Sequence, residues 1–122
     1  MGRYVDGYVI PIKKKNLVAY KKMAKLGCKI WMEHGALDYY ECVGDDINNA
    51  WGIPFPKLCK LKRDETVIYA FIVYKSKADR VRINKKVHKD PRMTGMISKK
   101  NFVMPVSMER FTVGGFKVLV QK

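Results

Sequence analysis

Histidine and cysteine are scarce in this chain: His34 and His88 are the two histidines, and Cys28, Cys42 and Cys59 are widely spaced thiols with no CxxC pair. A zinc centre needs a compact set of about four ligands, and neither HxxxH nor HExxH occurs, so no metal site is assigned. Haem asks for one axial histidine, a role open to His34, but nothing else points to it and no cofactor is assigned. An odd number of separated cysteines argues against a disulfide framework and for buried thiols in a reducing compartment. A glycine-rich phosphate loop is missing, because Gly114-Gly115 stands before a strand without the fingerprint's context. No apolar run reaches the roughly 20 residues that cross a bilayer. The start, MGRYVDGYVIPIKKK, lacks the pattern of a signal peptide. These absences lead to the expectation of a cytoplasmic protein with no membrane association.

Acidic residues are also few, 11 against 25 basic ones, for a formal charge of +14. That balance attracts nucleic acid and acidic partners in general. Only six of the basic residues are arginine, the side chain suited to base edges and bidentate phosphate contacts. The lysines are spread along the whole chain, so a generally basic surface is favoured over a nucleic-acid site. What is plentiful is apolar and aromatic material: 48% hydrophobic residues, with seven Tyr, five Phe and two Trp among 122 positions. This supports one domain, residues 1–122, with one core.

Arg3 to Ile12 reads as a strand with two largely apolar faces, weakening near Pro11. Asn16 is placed to cap a helix from Leu17 to Glu33, in which Leu17, Tyr20, Ala24, Gly27 and Trp31 share one face. Lys21, Lys22, Lys25 and Lys29 take the wet side. Gly35 suits a left-handed helix stop, and a second strand follows to Val43 or Gly44. KLCKLK, Lys57 to Lys62, reads as a short edge strand guarded by lysines. TVIYAFIVY, Thr66 to Tyr74, is apolar on both faces and marks a central, covered strand. Ser76 and Asp79 form a capping box before a second helix to about His88, with Arg80 and Arg82 toward water. Asp90-Pro91 starts a short helical turn, Ser98 to Ser107 is irregular, and strand material fills Met108 to Thr112 and Phe116 to Val120.

The order strand, helix, strand, strand, helix, strand is that of an α+β ferredoxin-like βαββαβ sandwich. Two helices cover one sheet face, and the other is equally apolar, so a second copy packed face to face, a homodimer, is expected. The stretches YVDGYVIP (Tyr4 to Pro11), EHGALDYYECVGDD (Glu33 to Asp46), DETVIYAFIVY (Asp64 to Tyr74), DPRM (Asp90 to Met93) and GGFKVLV (Gly114 to Val120) resemble the DUF1428 family of small uncharacterised bacterial proteins. The resemblance implies a fold similar to the dimeric alpha-beta barrels, a group of cofactor-free monooxygenases, isomerases, haem-dependent enzymes and ligand-binding modules.

The segment Glu33 to Asp46 concentrates ionisable groups among apolar ones, and a carboxylate on an apolar sheet face must be paired, hydrogen-bonded or protonated. His34, Asp38 and Glu41 are the catalytic candidates. Tyr8, Trp31, Tyr40 and Arg110 are the substrate-binding candidates, with Arg110 for an anionic group and a tyrosine for a developing oxyanion. That set suits proton abstraction from, or cofactor-free oxygenation of, a small enolisable or phenolic compound. The alternatives are a non-catalytic protein that binds RNA or an acidic partner through its lysines, and a structural interaction protein.

Overall fold

The computed structural model describes residues 2–122; Met1, the first residue of the expected single domain, lies outside the described residues. Strand β1 (Tyr4–Lys13) passes through a 3-10 turn (Lys14–Asn16) into helix α1 (Leu17–Glu33), followed by β2 (Asp38–Val43). A single helical turn, α2 (Phe55–Leu58), precedes β3 (Glu65–Tyr74), helices α3 (Lys77–Lys89) and α4 (Pro91–Ile97), a second 3-10 turn (Met108–Arg110) and β4 (Thr112–Lys117). The strands pair antiparallel in the order β2-β3-β1-β4, a ferredoxin-like arrangement with the two longest strands at its centre.

The barrel implied by the resemblance is corrected by this topology. The sheet is open, with β2 and β4 at opposite edges and no pairing between them. Both edges are six-residue strands flanking ten-residue ones, so the four strands form a layer under helices rather than a closed cylinder.

Local signals set most element boundaries. Ser76 caps α3 by accepting from the Asp79 N–H at 3.1 Å. Gly35, at φ 116°, ends α1 in the left-handed region where a side chain would be strained. Asn16 departs from its expected role: its side chain makes no cap and instead donates to the Pro105 carbonyl at 3.1 Å. The expected edge strand at Lys57 to Lys62 is replaced by α2, whose turn is started by Pro54 with Pro56 in its first positions. Gly114-Gly115 lies inside β4 rather than before a strand.

Alternation divides the sheet into two faces. On the covered face, Ile10, Ile12, Ile68 and Ala70 pack with Tyr20 and Val106, while Ile72 and Tyr74 pack with Ile30, Ala36, Ile83 and Val87. On the other face, Pro11 and Val67 at one end are buried, but the rest is uncovered and consists of rows that run Cys42–Tyr69–Val9–Thr112, Tyr40–Phe71–Gly7–Gly114 and Asp38–Val73–Val5–Phe116. Asp38, at one corner, is the single charged side chain in these rows. Expected burial of all three thiols is corrected as well: Cys28 and Cys59 are half-buried, but Cys42 is exposed because an edge strand places it on this uncovered face.

Candidate functional site

A cavity of about 280 Å³ lies between the covered sheet face and the helices. Its floor is Tyr8 and Ile10 of β1, Ala70 and Ile72 of β3, and Tyr39 and Glu41 of β2; α1 contributes Tyr20, Met23, Ala24, Gly27 and Trp31. The remaining wall comes from His88 of α3, from α4 and from the irregular segment after it, with Met93, Met96, Phe102, Met104, Met108 and Phe111. Five of the chain's seven methionines therefore face one void. Such thioether walls adapt to ligand shape at little cost.

Among the described residues, Glu41 is the only carboxylate on this wall. The register of β2 on β3 sets Glu41 opposite Ala70 and turns it under α1, together with Tyr39. Both carboxylate oxygens are engaged: the Tyr20 hydroxyl donates to Oε1 at 2.7 Å and the Tyr39 hydroxyl to Oε2 at 2.8 Å. Gly27 makes room for this contact, because a Cβ there would lie 3.1 Å from the Tyr39 oxygen. Burial, followed for Tyr20 by its hydrogen bond to Glu41 and for Tyr39 by the charge of Glu41, raises both phenols well above the ordinary tyrosine value. They stay protonated and donate throughout the physiological range. Tyr8 is raised too, first by burial and then by the charge of Asp6. Its ring meets Phe111 edge to face at 5.9 Å.

A second polar cluster lies behind the Trp31 wall. Asp6 is 2% exposed. It accepts from Arg80 through Nη2 at 2.8 Å and Nε at 3.0 Å, and from the Tyr74 hydroxyl at 3.0 Å. Asn84 donates to Asp6 at 3.4 Å and accepts from Trp31 Nε1 at 3.0 Å, which fixes the indole in the cavity wall. Arg80, expected to face water, is thus turned inward by a buried carboxylate.

A family model for DUF1428, a protein of unknown function, matches residues 3–107. The chain belongs to the DUF1428 family. It is 32% identical to the uncharacterized protein YbaA of Escherichia coli K12 over 98% of this chain and 99% of that protein, and equally so to YbaA of Shigella flexneri. The crystal structure of a dimeric ferredoxin-like protein from an uncultured marine organism superimposes with a TM-score of 0.52 at 13% identity, covering all of both chains. That likeness supports the fold.

In this DUF1428 chain, three of the residues singled out from the sequence, Tyr8, Trp31 and Glu41, meet at the cavity. The other four lie elsewhere. Asp38 and Tyr40 are on the uncovered face, where Tyr40 stacks on Phe71 at 5.2 Å. His34 closes the end of α1 and bonds Asp90 Oδ2 through Nε2 at 2.8 Å. Arg110 holds Glu65 at 2.7 Å and the Cys59 carbonyl at 3.0 Å. His34 and Arg110 therefore secure the two ends of the segment that walls the cavity. The partners of Glu41 are Tyr20, placed by the sequence on the shared face of α1, and Tyr39, which is not among the candidates. The methionines at 93, 96, 104 and 108 fall in or beside a stretch without periodicity, and their clustering was the one signal available there.

The two anchors predict an acid transition. Arg110, then the Lys62 N–H, holds the Glu65 carboxyl below its usual value; Arg92, then His34, holds Asp90 well below its own. A carboxyl depressed by folding stabilises the protein above its unfolded value, about 4, and loses that contribution as pH falls toward the lowered folded value. Melting temperature should therefore fall between about pH 4 and pH 2. The fall should flatten in an Arg92→Ala/Arg110→Ala variant. An unchanged acid slope in that variant would refute the assignment.

No helix among the described residues is long and apolar enough to cross a membrane.

Proposed function

We propose that this protein binds a small, mainly apolar molecule in the cavity, with Glu41 accepting a hydrogen bond or a proton from the molecule's hydroxyl, amine or acidic C–H group. The observation that carries this reading is the arrangement of Glu41, a carboxylate fixed by two neutral phenols on a mainly apolar wall whose other polar side chains include Tyr8 and His88. Each carboxylate oxygen has acceptor capacity beyond its one tyrosine. The Tyr8 hydroxyl, which makes no hydrogen bond among the described residues, is the donor for an oxygen of the bound molecule. With an enolisable or phenolic compound, the proton passes to Glu41 and the resulting oxyanion is stabilised by Tyr8.

Calorimetry with phenols, catechols and 1,3-diketones tests the site, and hydrogen–deuterium exchange at the diketone C–H, followed by NMR, tests the proton transfer. Glu41→Gln keeps the shape and removes the charge; it should weaken binding about tenfold or more, the range expected for loss of a charge-assisted hydrogen bond, and abolish catalysed exchange. Native affinity and exchange in Glu41→Gln would overturn the proposal.

We also propose that a second copy covers the uncovered sheet face. Its rows are apolar except for Asp38, whereas the outer side of α1 carries the exposed Lys21, Lys22, Lys25 and Lys29. The marine relative in fold is described as dimeric. Nucleic-acid binding through the lysines has net charge as its sole support.

A further inference from the structure

A second groove, about 450 Å³, runs along the free edge of β2 beneath α1. It is lined by Lys21, Lys25 and Cys28, and it shares Tyr20, Ala24, Tyr39 and Glu41 with the cavity. The hydrogen-bonded trio of Tyr20, Glu41 and Tyr39 is thus the partition between an internal apolar void and a surface groove. The helix explains this division. Tyr20, Ala24 and Gly27 point over the sheet, and the adjacent stripe of Lys21, Lys25 and Cys28 lies one step around the cylinder, over the edge strand.

From these observations we infer that the groove takes an amphipathic anion: an apolar body lying along Leu17, Tyr40 and Ile68, with a hydroxyl at Glu41 and a carboxylate or phosphate at Lys21 and Lys25. The inference rests on the reading of Glu41 above as the acceptor and names the ligand class for its groove side. Lys21 and Lys25 stand one turn apart on the same face, both exposed, and neither belongs to an ion pair among the described residues. No acidic residue occurs in α1 before Glu33. The one carboxylate on the groove, Glu41, is already bonded by both phenols, so the lysines face the groove with uncompensated charge. Repulsion from Glu41 sets the polarity of the bound molecule. Its proton donor goes to Glu41 and its anionic end to the mouth of the groove at Lys21 and Lys25.

Two compounds with the same apolar body separate this inference from the site reading: neutral 4-propylphenol and anionic 3-(4-hydroxyphenyl)propanoate. Calorimetry should show the acid binding about tenfold tighter than the phenol at low salt, with the advantage shrinking as salt rises. In Lys21→Gln/Lys25→Gln the advantage should vanish, the acid then binding no tighter than 4-propylphenol. Lys29→Gln, an equal charge change per residue on α1 outside the groove, should leave it intact. Binding of the phenol with no gain for the acid, or a gain that survives the double substitution, overturns the inference and leaves the cavity reading standing. Failure of both compounds to bind overturns the cavity reading and this inference together.

Discussion

Asp6→Ala is expected to lower the stability of the fold by about 3 kcal/mol, the low end of the cost of breaking a buried ion pair by removing one partner. Asp6 is the single acceptor shared by Arg80, Tyr74 and Asn84. Its loss leaves a guanidinium with no carboxylate and the Asn84 amide with no acceptor, while the Tyr74 hydroxyl keeps only its longer bond to Asn84 Oδ1 at 3.3 Å. Arg80 is 28% exposed and retains some access to water, which places the cost at the low end. Its guanidinium also sits 5.5 Å from the Tyr4 ring centre, a contact that depends on the position Asp6 imposes. For a chain of this length the loss corresponds to a fall in melting temperature of roughly 10 °C or more. Asp6→Ala/Arg80→Leu should recover part of it, because the orphaned charge is then removed. A fall of less than about 1 kcal/mol in Asp6→Ala would show that the pair contributes little.

Asp6 also marks how far sequence reasoning reached. A carboxylate beside Gly7 is plain in the sequence, but its burial depends on the register of β1 against β3, which sets it opposite Ile72, and on an arginine 74 residues away in α3. By contrast, β3 announced itself locally. An apolar residue at nearly every position from Val67 to Val73 marks a central strand, and β3 does occupy an interior position in the sheet, although its Tyr69, Phe71 and Val73 side is left uncovered in the single chain, against the expectation of cover on both faces.

Glu41 shows the same boundary within the candidate site. Period-two alternation separates Asp38 and Tyr40 from Tyr39 and Glu41, yet nothing in β2 alone says which pair lies under α1. The pairing of Glu41 with Ala70 decides it. His34 drew notice as a histidine beside acids, and its partner proved to be Asp90, which caps α4 by accepting from the Arg92 N–H at 2.9 Å. The wall segment was least legible. Met96, Phe102 and Met104 have no periodic signature because their positions are set by tethers at Asp90, Asn16 and Arg110 rather than by one regular element.

Phe71→Glu is expected to convert a 28.2 kDa dimer, twice the 14.1 kDa chain, into a folded monomer. Phe71 occupies the middle row of the uncovered face, between Tyr40 and Gly7 on the neighbouring strands. On a solvated face a glutamate there keeps its hydration and sacrifices mainly the stacking on Tyr40 at 5.2 Å. In a face-to-face dimer the symmetry buries two such carboxylates in one apolar layer, without a basic side chain in the rows to meet them. Desolvation costs several kcal/mol per ion, which raises the dissociation constant by at least about a thousandfold. Light scattering across a hundredfold dilution in high salt reads the mass directly, and circular dichroism checks the fold. The unaltered chain should hold 28.2 kDa, and Lys22→Glu on the outer side of α1 should hold it too, since that position is exposed away from the sheet. A chain that stays at 14.1 kDa without any substitution, or a folded Phe71→Glu variant that stays at 28.2 kDa, would remove the second copy from this face. The side chains of Tyr40, Tyr69 and Phe116, each at least half exposed, would then have to meet some other apolar surface or water.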